Sequence, residues 1–484
     1  MIDWYKLVSG SDIRGVAIGE DAILTNDVVK SISIAFALFI EKTRGINISD
    51  QIIAVGHDSR LSGPRLKDVF INALSSIGVQ VYYCGLCSTP AMSMASNILS
   101  CSAAVEITAS HHPKEFNGFK FFTSKGGLKS SDIVDIVETA RTSFFPKSNI
   151  KGKVRNVDLM KKYKDSLKNM IVHNLGKNSP LSGTHIVVDA SNGAGGFFVD
   201  ILKKLGADTS GSSLLDPDGN FPSHVPNPEN QKSIEFIKKL TLDNNADLGI
   251  IFDADVDRCF FIDDKGIPIV KSQLVALVSK FVLRDHPKSV IVTDSVTSDH
   301  LKKFIENNGG KQYRERRGYQ NVIGTAKDLN YESKQCFLAI ETSGHAAFEE
   351  NDFKDDGAYL AVKMIIEMMN LKKQGKKLSE EVAKFKDSKE SKEIRIYKES
   401  KEEIEEYLDN MKEKCSNIEG CSEDYDTPEG IRFNFNICDR NGWCFSEYRG
   451  WCLFRQSAHD LSIVLNVESD DDGGVEKILQ NIQQ

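Results

Sequence analysis

Strand-length apolar runs that break into polar or glycine-rich loops recur through most of this chain, and helix-like patterns follow many of them. IIAVGHD is followed by a helical pattern over residues 63–77 and then by VQVYYCG. AAVEITA runs into a loop with His-His-Pro and then Asn-Gly. GTHIVVDASNGAGG leads into a helical pattern over residues 197–205. DLGIIFDADVDRCFFID reads as strand, acidic loop and strand, and SVIVTDSVTSDHLKKFIENNG as strand and helix. Apolar runs alternating with amphipathic helices argue for α/β units with mixed or parallel sheets.

The texture changes near Leu371. LKKQGKKLSEEVAKFKDSKESKE is rich in lysine and glutamate and reads as a solvated helix with a linker. The segments EIRIYKE, EEIEEYLDNMKE, IRFNFNICD, WCLFRQS and LSIVLNVES then suggest a small α+β unit. At roughly 150 residues per domain, 484 residues suggest about three domains, with two or four also open. The texture breaks predict divisions at 1–150, 151–264, 265–388 and 389–484.

Lys and Arg total 61 against 69 Asp and Glu, a formal charge of -8. Such a surface disfavours nucleic acid and anionic lipid as partners but permits a small anionic substrate in a locally cationic cleft. The longest apolar stretch, residues 32–40, is too short to span a bilayer. Without a signal-peptide pattern, and with ten cysteines scattered along the chain, the expectation is a cytoplasmic protein with reduced thiols. Cys84 and Cys87 form a CxxC read as two buried thiols or a redox pair. Cys415, Cys421, Cys438 and Cys444 leave a zinc site open, though their spacing matches no common finger.

Four stretches carry chemistry. In TASHHPKEFNGFK, Ser110 lies just past a strand and suits a nucleophile or phosphate carrier, with His111 and Lys120 as proton-transfer groups. A structural loop is the alternative, and a zinc site on His111 and His112 a lesser one. In DADVDR, Asp253, Asp255 and Asp257 form a hard oxygen-ligand set whose repulsion calls for a cation. A calcium loop fails at the sixth position, where Arg258 stands in place of glycine. Arg258 suits a phosphoryl group. In ETSGHAAF, Glu341, Ser343 and His345 suit sugar hydroxyls, or form a plain turn. In FRQSAHD, Arg455 and Ser457 suit a phosphate, or belong to a surface turn.

Taken in order, these stretches resemble the α-D-phosphohexomutase superfamily of phosphoglucomutases and phosphomannomutases. SGSDIRG, GHDSR and FPSHVPNPE are similar to further motifs of that family, and the likeness covers nearly the whole chain. The resemblance implies three related mixed-sheet α/β domains plus a smaller C-terminal α+β domain around a central cleft. It implies an enzyme that interconverts hexose 1-phosphate and hexose 6-phosphate, of glucose or mannose, through phosphorylated Ser110 and a hexose 1,6-bisphosphate. It also implies Mg²⁺ held by Ser110, Asp253, Asp255 and Asp257. Lys120 and His111 would exchange protons, with Arg14 orienting the lysine or touching the phosphoserine. Glu341, Ser343, His345 and Tyr319 would bind sugar, and Arg455, Ser457 and Arg258 phosphate.

The chain departs from the family pattern in three places. Val256 stands where glycine is usual. Tyr319, in RRGYQNVIG, stands where His or Trp is frequent. Ala458 and His459 replace a glycine and a threonine of the phosphate loop. Gln456-Ser457 with a histidine, and RGYQNV, look like a plant- and protist-type branch, while the departures themselves bear on turnover. They leave open a hexose 1,6-bisphosphate synthase, or a sugar-phosphate-binding paralogue with impaired turnover.

Overall fold

In the computed structural model, residues 3–142, 151–176, 178–435, 450–457 and 461–483 are described. The chain divides into two compact units, Met1–Val270 with Ser343–Val382, and Lys271–Thr342 with Ala383–Gln484.

The first unit holds two sheets. The larger comprises β1 (Val8–Ser9), β2 (Asp12–Val16), β3 (Ile52–His57), β4 (Gln80–Leu86), β5 (Ala103–Ile107), β6 (Phe116–Thr123), β7 (Gly126–Gly127) and β8 (Val154–Asn156). Its order is β1-β2-β6-β5-β3-β4-β8, with β7 paired to β6. β3, β4, β5 and β8 run parallel, and β2 and β6 join antiparallel. The central β5 has every residue buried, which is why AAVEI reads as a continuous run rather than an alternating one. The helix Asn26–Arg44 packs its apolar face on this sheet, capped by Thr25 at one end and by left-handed Gly45 at the other.

The second sheet has the order β12-β11-β10-β9, from β9 (Ile186–Asp189), β10 (Leu248–Phe252), β11 (Cys259–Asp263) and β12 (Pro268–Ile269). β9 and β10 are parallel, whereas β10 and β11 form an antiparallel hairpin closed by residues 253–258. The helix Gly357–Lys373 is buried almost all round.

In the second unit, β13 (Val290–Asp294), β14 (Lys311–Glu315) and β15 (Cys336–Ile340) are parallel, in the order β14-β13-β15. After a hairpin of β16 (Ala346–Phe348) and β17 (Lys354–Asp355) in the first unit, the C-terminal sheet begins. It contains β18 (Glu390–Tyr397), β19 (Cys421–Asp424), β20 (Ile431–Phe435), β21 (Gly450–Gln456) and β22 (Ser462–Ser469), all antiparallel, in the order β18-β22-β21-β20-β19.

Mixed α/β sheets with an α+β end match the expected class. Three details differ from the sequence reading. β19, whose sequence is CSED, lacks an apolar pattern, and the helix Gly474–Gln483 follows β22. The lysine-rich segment is only partly solvated, because Leu378, Val382 and Phe385 are buried. Cys84 and Cys87 are free buried thiols, and Cys438 and Cys444 lie outside the described residues. No helix among the described residues is long and apolar enough to cross a membrane.

Candidate active site

Ser110 follows β5 in a left-handed conformation, φ 50°. Its amide donates to Thr108 Oγ1 at 2.8 Å, and that hydroxyl donates to Asp58 Oδ2 at 2.8 Å. The fully buried Arg60 guanidinium donates to four carbonyls of the same loop, Ser110 (2.5 Å), His112 (2.7 Å), Pro113 (2.7 Å) and Phe116 (3.0 Å). A serine loop held this way satisfies its backbone internally and leaves the hydroxyl to face other groups.

Those groups come from the β10–β11 hairpin. Ser110 Oγ donates to Asp253 Oδ2 at 2.8 Å, and Arg258 Nη2 lies 3.4 Å from Ser110 Oγ. Arg258 Nε pairs with Asp253 at 3.0 Å, and Nη1 reaches Glu229 at 3.4 Å. Lys120, on β6, pairs with Asp255 at 3.1 Å and also with Asp257. Thr89 donates to Asp255 Oδ2 at 2.6 Å. The glycine-rich loop after β9 braces the hairpin. Ala194 donates its amide to the Ala254 carbonyl at 2.8 Å, and a Cβ on Gly193 would lie 2.4 Å from that oxygen.

The three hairpin aspartates are fully buried and offer ligand oxygens within 4.8 Å of one another. Asp255 Oδ1 and Asp257 Oδ1 have no hydrogen-bond partner. Two orphaned anionic oxygens in a buried hard-ligand set fit a small divalent cation such as Mg²⁺. Burial, together with the Asp257 and Asp255 charges, pushes the Asp253 carboxyl well above its usual range. Burial acts the same way on Asp257, but Lys120 foremost holds it below the usual carboxylate range. Burial works against the Arg258 charge, and Asp253 and Glu229 outweigh it. Burial, then Arg258, lowers the His111 pKa well below its usual value; His111 Nδ1 stands 3.3 Å from Ser110 Oγ.

Arg14 pairs with Asp12 at 2.8 Å and stands opposite Gly118, two residues from Lys120 on β6. ETSGH crosses from one unit to the other. Glu341 accepts from the Gly318 amide at 2.6 Å, next to Tyr319, in the second unit. Ser343 is buried in the first unit. His345 there pairs with Asp355 at 2.5 Å, in a cluster with Asp257, and its pKa rises to about 9 because Asp355 outweighs burial. His345 thus sits with the carboxylate hairpin. Arg455, on β21, is buried with Nε unpartnered, and Ser457 is buried beside it in sequence. Ala458 and His459 lie outside the described residues. His111 and His112 belong to no three-ligand cluster among the described residues.

Five contributors were not among the expected site residues: Asp58, Arg60, Thr89, Glu229 and Asp355. GHDSR and FPSHVPNPE flagged three of these by motif alone; Thr89 and Asp355 had no local signal.

The chemistry available here is phosphoryl transfer through a serine, on an α/β scaffold. Comparison with known proteins narrows that class. Family profiles described as Phosphoglucomutase/phosphomannomutase, alpha/beta/alpha domain I, domain II and domain III match residues 6–144, 161–266 and 271–387. A Thermococcus kodakarensis protein named phosphoglucomutase/phosphomannomutase is 32% identical over 380 residues, 78% of this chain and 79% of the relative. A Salmonella typhimurium phosphomannomutase is 29% identical over 391 residues, 78% of this chain and 81% of the relative. The crystal structure of a phosphoglucomutase/phosphomannomutase family protein from Burkholderia thailandensis shares the fold, with a TM-score of 0.81 at 24% identity, covering 100% of this chain and 97% of that one. The chain belongs to the phosphoglucomutase/phosphomannomutase family.

Proposed function

We propose that this protein is a phosphohexomutase that interconverts hexose 1-phosphate and hexose 6-phosphate, of glucose or mannose. The observation that carries this reading is the Ser110 hydroxyl, 2.8 Å from Asp253 in a buried set of three carboxylates. Phosphoryl transfer asks mainly for positioning and charge neutralisation, and both are built in here.

Ser110 carries the phosphoryl group. Its P–O bond breaks as the phosphorus joins a sugar hydroxyl, giving the hexose 1,6-bisphosphate. The hydroxyl proton passes to Lys120 in its uncharged amine form or to His111, and returns when the second phosphate moves back to Ser110. Arg258, beside Ser110 Oγ, neutralises the group in transit. Asp253, Asp255, Asp257 and Ser110 would hold Mg²⁺, which when bound supplies further charge neutralisation. Arg14 orients Lys120. Glu341, Ser343, His345 and Tyr319 are assigned to the sugar, and Arg455 and Ser457 to its other phosphate. We assign four domains at 1–150, 151–264, 265–388 and 389–484, and a cytoplasmic location consistent with the free thiols.

The test is conversion of glucose and mannose 1-phosphates with Mg²⁺ and a trace of 1,6-bisphosphate, alongside intact mass. We expect one added phosphate, discharged by sugar phosphate. Ser110→Ala should lose several orders of magnitude in turnover and keep the fold. Near-normal rates in that variant would overturn the assignment. A bisphosphate that accumulates without isomerising would point to a synthase.

A further inference from the structure

Glu106 lies in the middle of β5 with 0% exposure, and neither of its carboxyl oxygens has a hydrogen-bond partner. No step proposed above uses it. A buried carboxyl left unpaired is costly, so its retention needs a reason.

The register supplies the surroundings. Glu106 stands beside Gly56 on β3 and directly opposite Lys120 on β6. A Cβ on Gly56 would lie 2.5 Å from Glu106 Oε2, 2.8 Å from Met92 Sδ and 3.0 Å from Cys87 Cβ. The bare glycine therefore makes room for the carboxyl, in a pocket otherwise lined by sulfur-bearing side chains. Burial, then the nearby Asp58 and Asp255 charges, raises the Glu106 pKa well above the usual range, and Lys120 pulls the other way.

Lys120 pairs with Asp255 and Asp257, the two carboxylates whose other oxygens are orphaned. An ammonium on one oxygen of each carboxylate and a divalent cation on the other repel each other across a few ångströms of low dielectric. A lysine displaced from both carboxylates while still buried needs another counter-ion. Directly opposed residues of an antiparallel pair have Cβ atoms about 4.5–5.5 Å apart, well within the sweep of a lysine chain.

We propose that Glu106 is the alternate counter-ion of Lys120: when a divalent cation occupies Asp255 and Asp257, the ammonium turns across the β5–β6 pair to Glu106, whose proton leaves to solvent. Glu106 is then a positioning residue that acts through Lys120. The proposal rests on the Mg²⁺ reading above, but not on which sugar is converted.

The experiment is calorimetric titration of Mg²⁺ into the full chain without sugar phosphate, for the wild type, Glu106→Gln, Lys120→Met and the double variant. We expect Glu106→Gln to weaken Mg²⁺ binding by about tenfold when Lys120 is present, and to leave it unchanged in the Lys120→Met background. Glu106→Met, which suits the neighbouring Met92 and Cys87, should show the same pattern and guards against a misfolded glutamine variant. Equal weakening in both backgrounds would mean a structural effect and overturn the proposal, as would no weakening at all. A wild type that binds no Mg²⁺ overturns the metal reading together with this one. Intact coupling in a protein without mutase activity would overturn only the proposed reaction.

Discussion

Val256 sits at φ 68° with no exposure, in the hairpin turn that carries the three aspartates. A left-handed conformation costs an ordinary L-residue roughly 1–2 kcal/mol. A β-branched side chain tolerates it less readily than most. A glycine would carry no such cost. The turn keeps its shape here because the Val256 side chain is buried and its carbonyl accepts from the Gly357 amide at 3.1 Å. Burial of a valine is worth about 1.5–3 kcal/mol, enough to offset the strain. Replacing Val256 with glycine relieves the strain while losing the burial. Val256→Gly should therefore destabilise by about 1–2 kcal/mol less than Val188→Gly in β9, which loses burial alone. Urea unfolding of the two variants measures the difference, and equal losses would remove the strain argument.

At the scale of elements, the segment over residues 219–230 ties the serine loop to the hairpin. Phe221 lies under the Arg60 guanidinium at 5.4 Å, and Glu229 meets Arg258 at 3.4 Å. His224 pins this segment to β9. Its Nε2 is 2.8 Å from Asp189 Oδ2, and its Nδ1 is 2.8 Å from the Val225 carbonyl. The Ser233 hydroxyl, 3.1 Å from Nδ1, donates to the same Val225 carbonyl at 3.1 Å, so both ring nitrogens are best served as donors, which is the imidazolium form. Burial works against that charge, but the Asp189 hydrogen bond and charge outweigh it and raise the pKa above 6.5. A histidine pKa raised on folding stabilises fully below its unfolded value of about 6.5, and the contribution is lost as pH climbs through the folded value. Stability should thus fall on the alkaline side of about pH 6.5. In His224→Gln that part of the slope should vanish. Denaturant melts from pH 6 to pH 9, a range that brackets the histidine transition, give the comparison. An unchanged slope would mean that the ring is neutral in the fold.

At the scale of the whole molecule, the compact units cut across the family's third domain. Lys271–Thr342 associates with Ala383–Gln484, whereas Ser343–Val382 associates with the N-terminal half. Within the second unit one fastening is Arg432 on β20. It is fully buried, stacks over Trp451 at 3.8 Å, donates to the Thr297 carbonyl at 3.1 Å, and pairs with Asp299 (3.4 Å) and Asp424 (3.5 Å). Burial, then Arg314, brings its pKa down to about 10, still charged at neutral pH. Removing one partner from a buried ionic cluster typically costs about 3–5 kcal/mol, because the remaining charges are stranded. Arg432→Met should destabilise this unit on that scale. It should also let the C-terminal sheet exchange its amides more readily than β13. Uniform exchange across both parts would show that the arginine does not join them.

What the residues declare on their own is local. DADVDR between GIIF and CFFI must be a turn, because three charges cannot share the apolar environment of their flanks. The loop after AAVEITA turns a serine out of the sheet because a strand ends there. The strand–loop–helix recurrence settles the mixed α/β class, since one period specifies each element. Pairing over distance is another matter. Thr89 meets Asp255 across 166 positions and Ser110 meets Asp253 across 143, and no local pattern encodes either contact. Arg60 reads only as part of a motif and Glu106 as an ordinary charged residue until the sheet order buries them, one against four carbonyls and the other against none. Side-chain periodicity reports which face a residue takes; what lies on the far side of that face depends on strand order and register. Tertiary structure alone therefore decided how Lys120 shares its carboxylates and why an unpaired glutamic acid stands behind it.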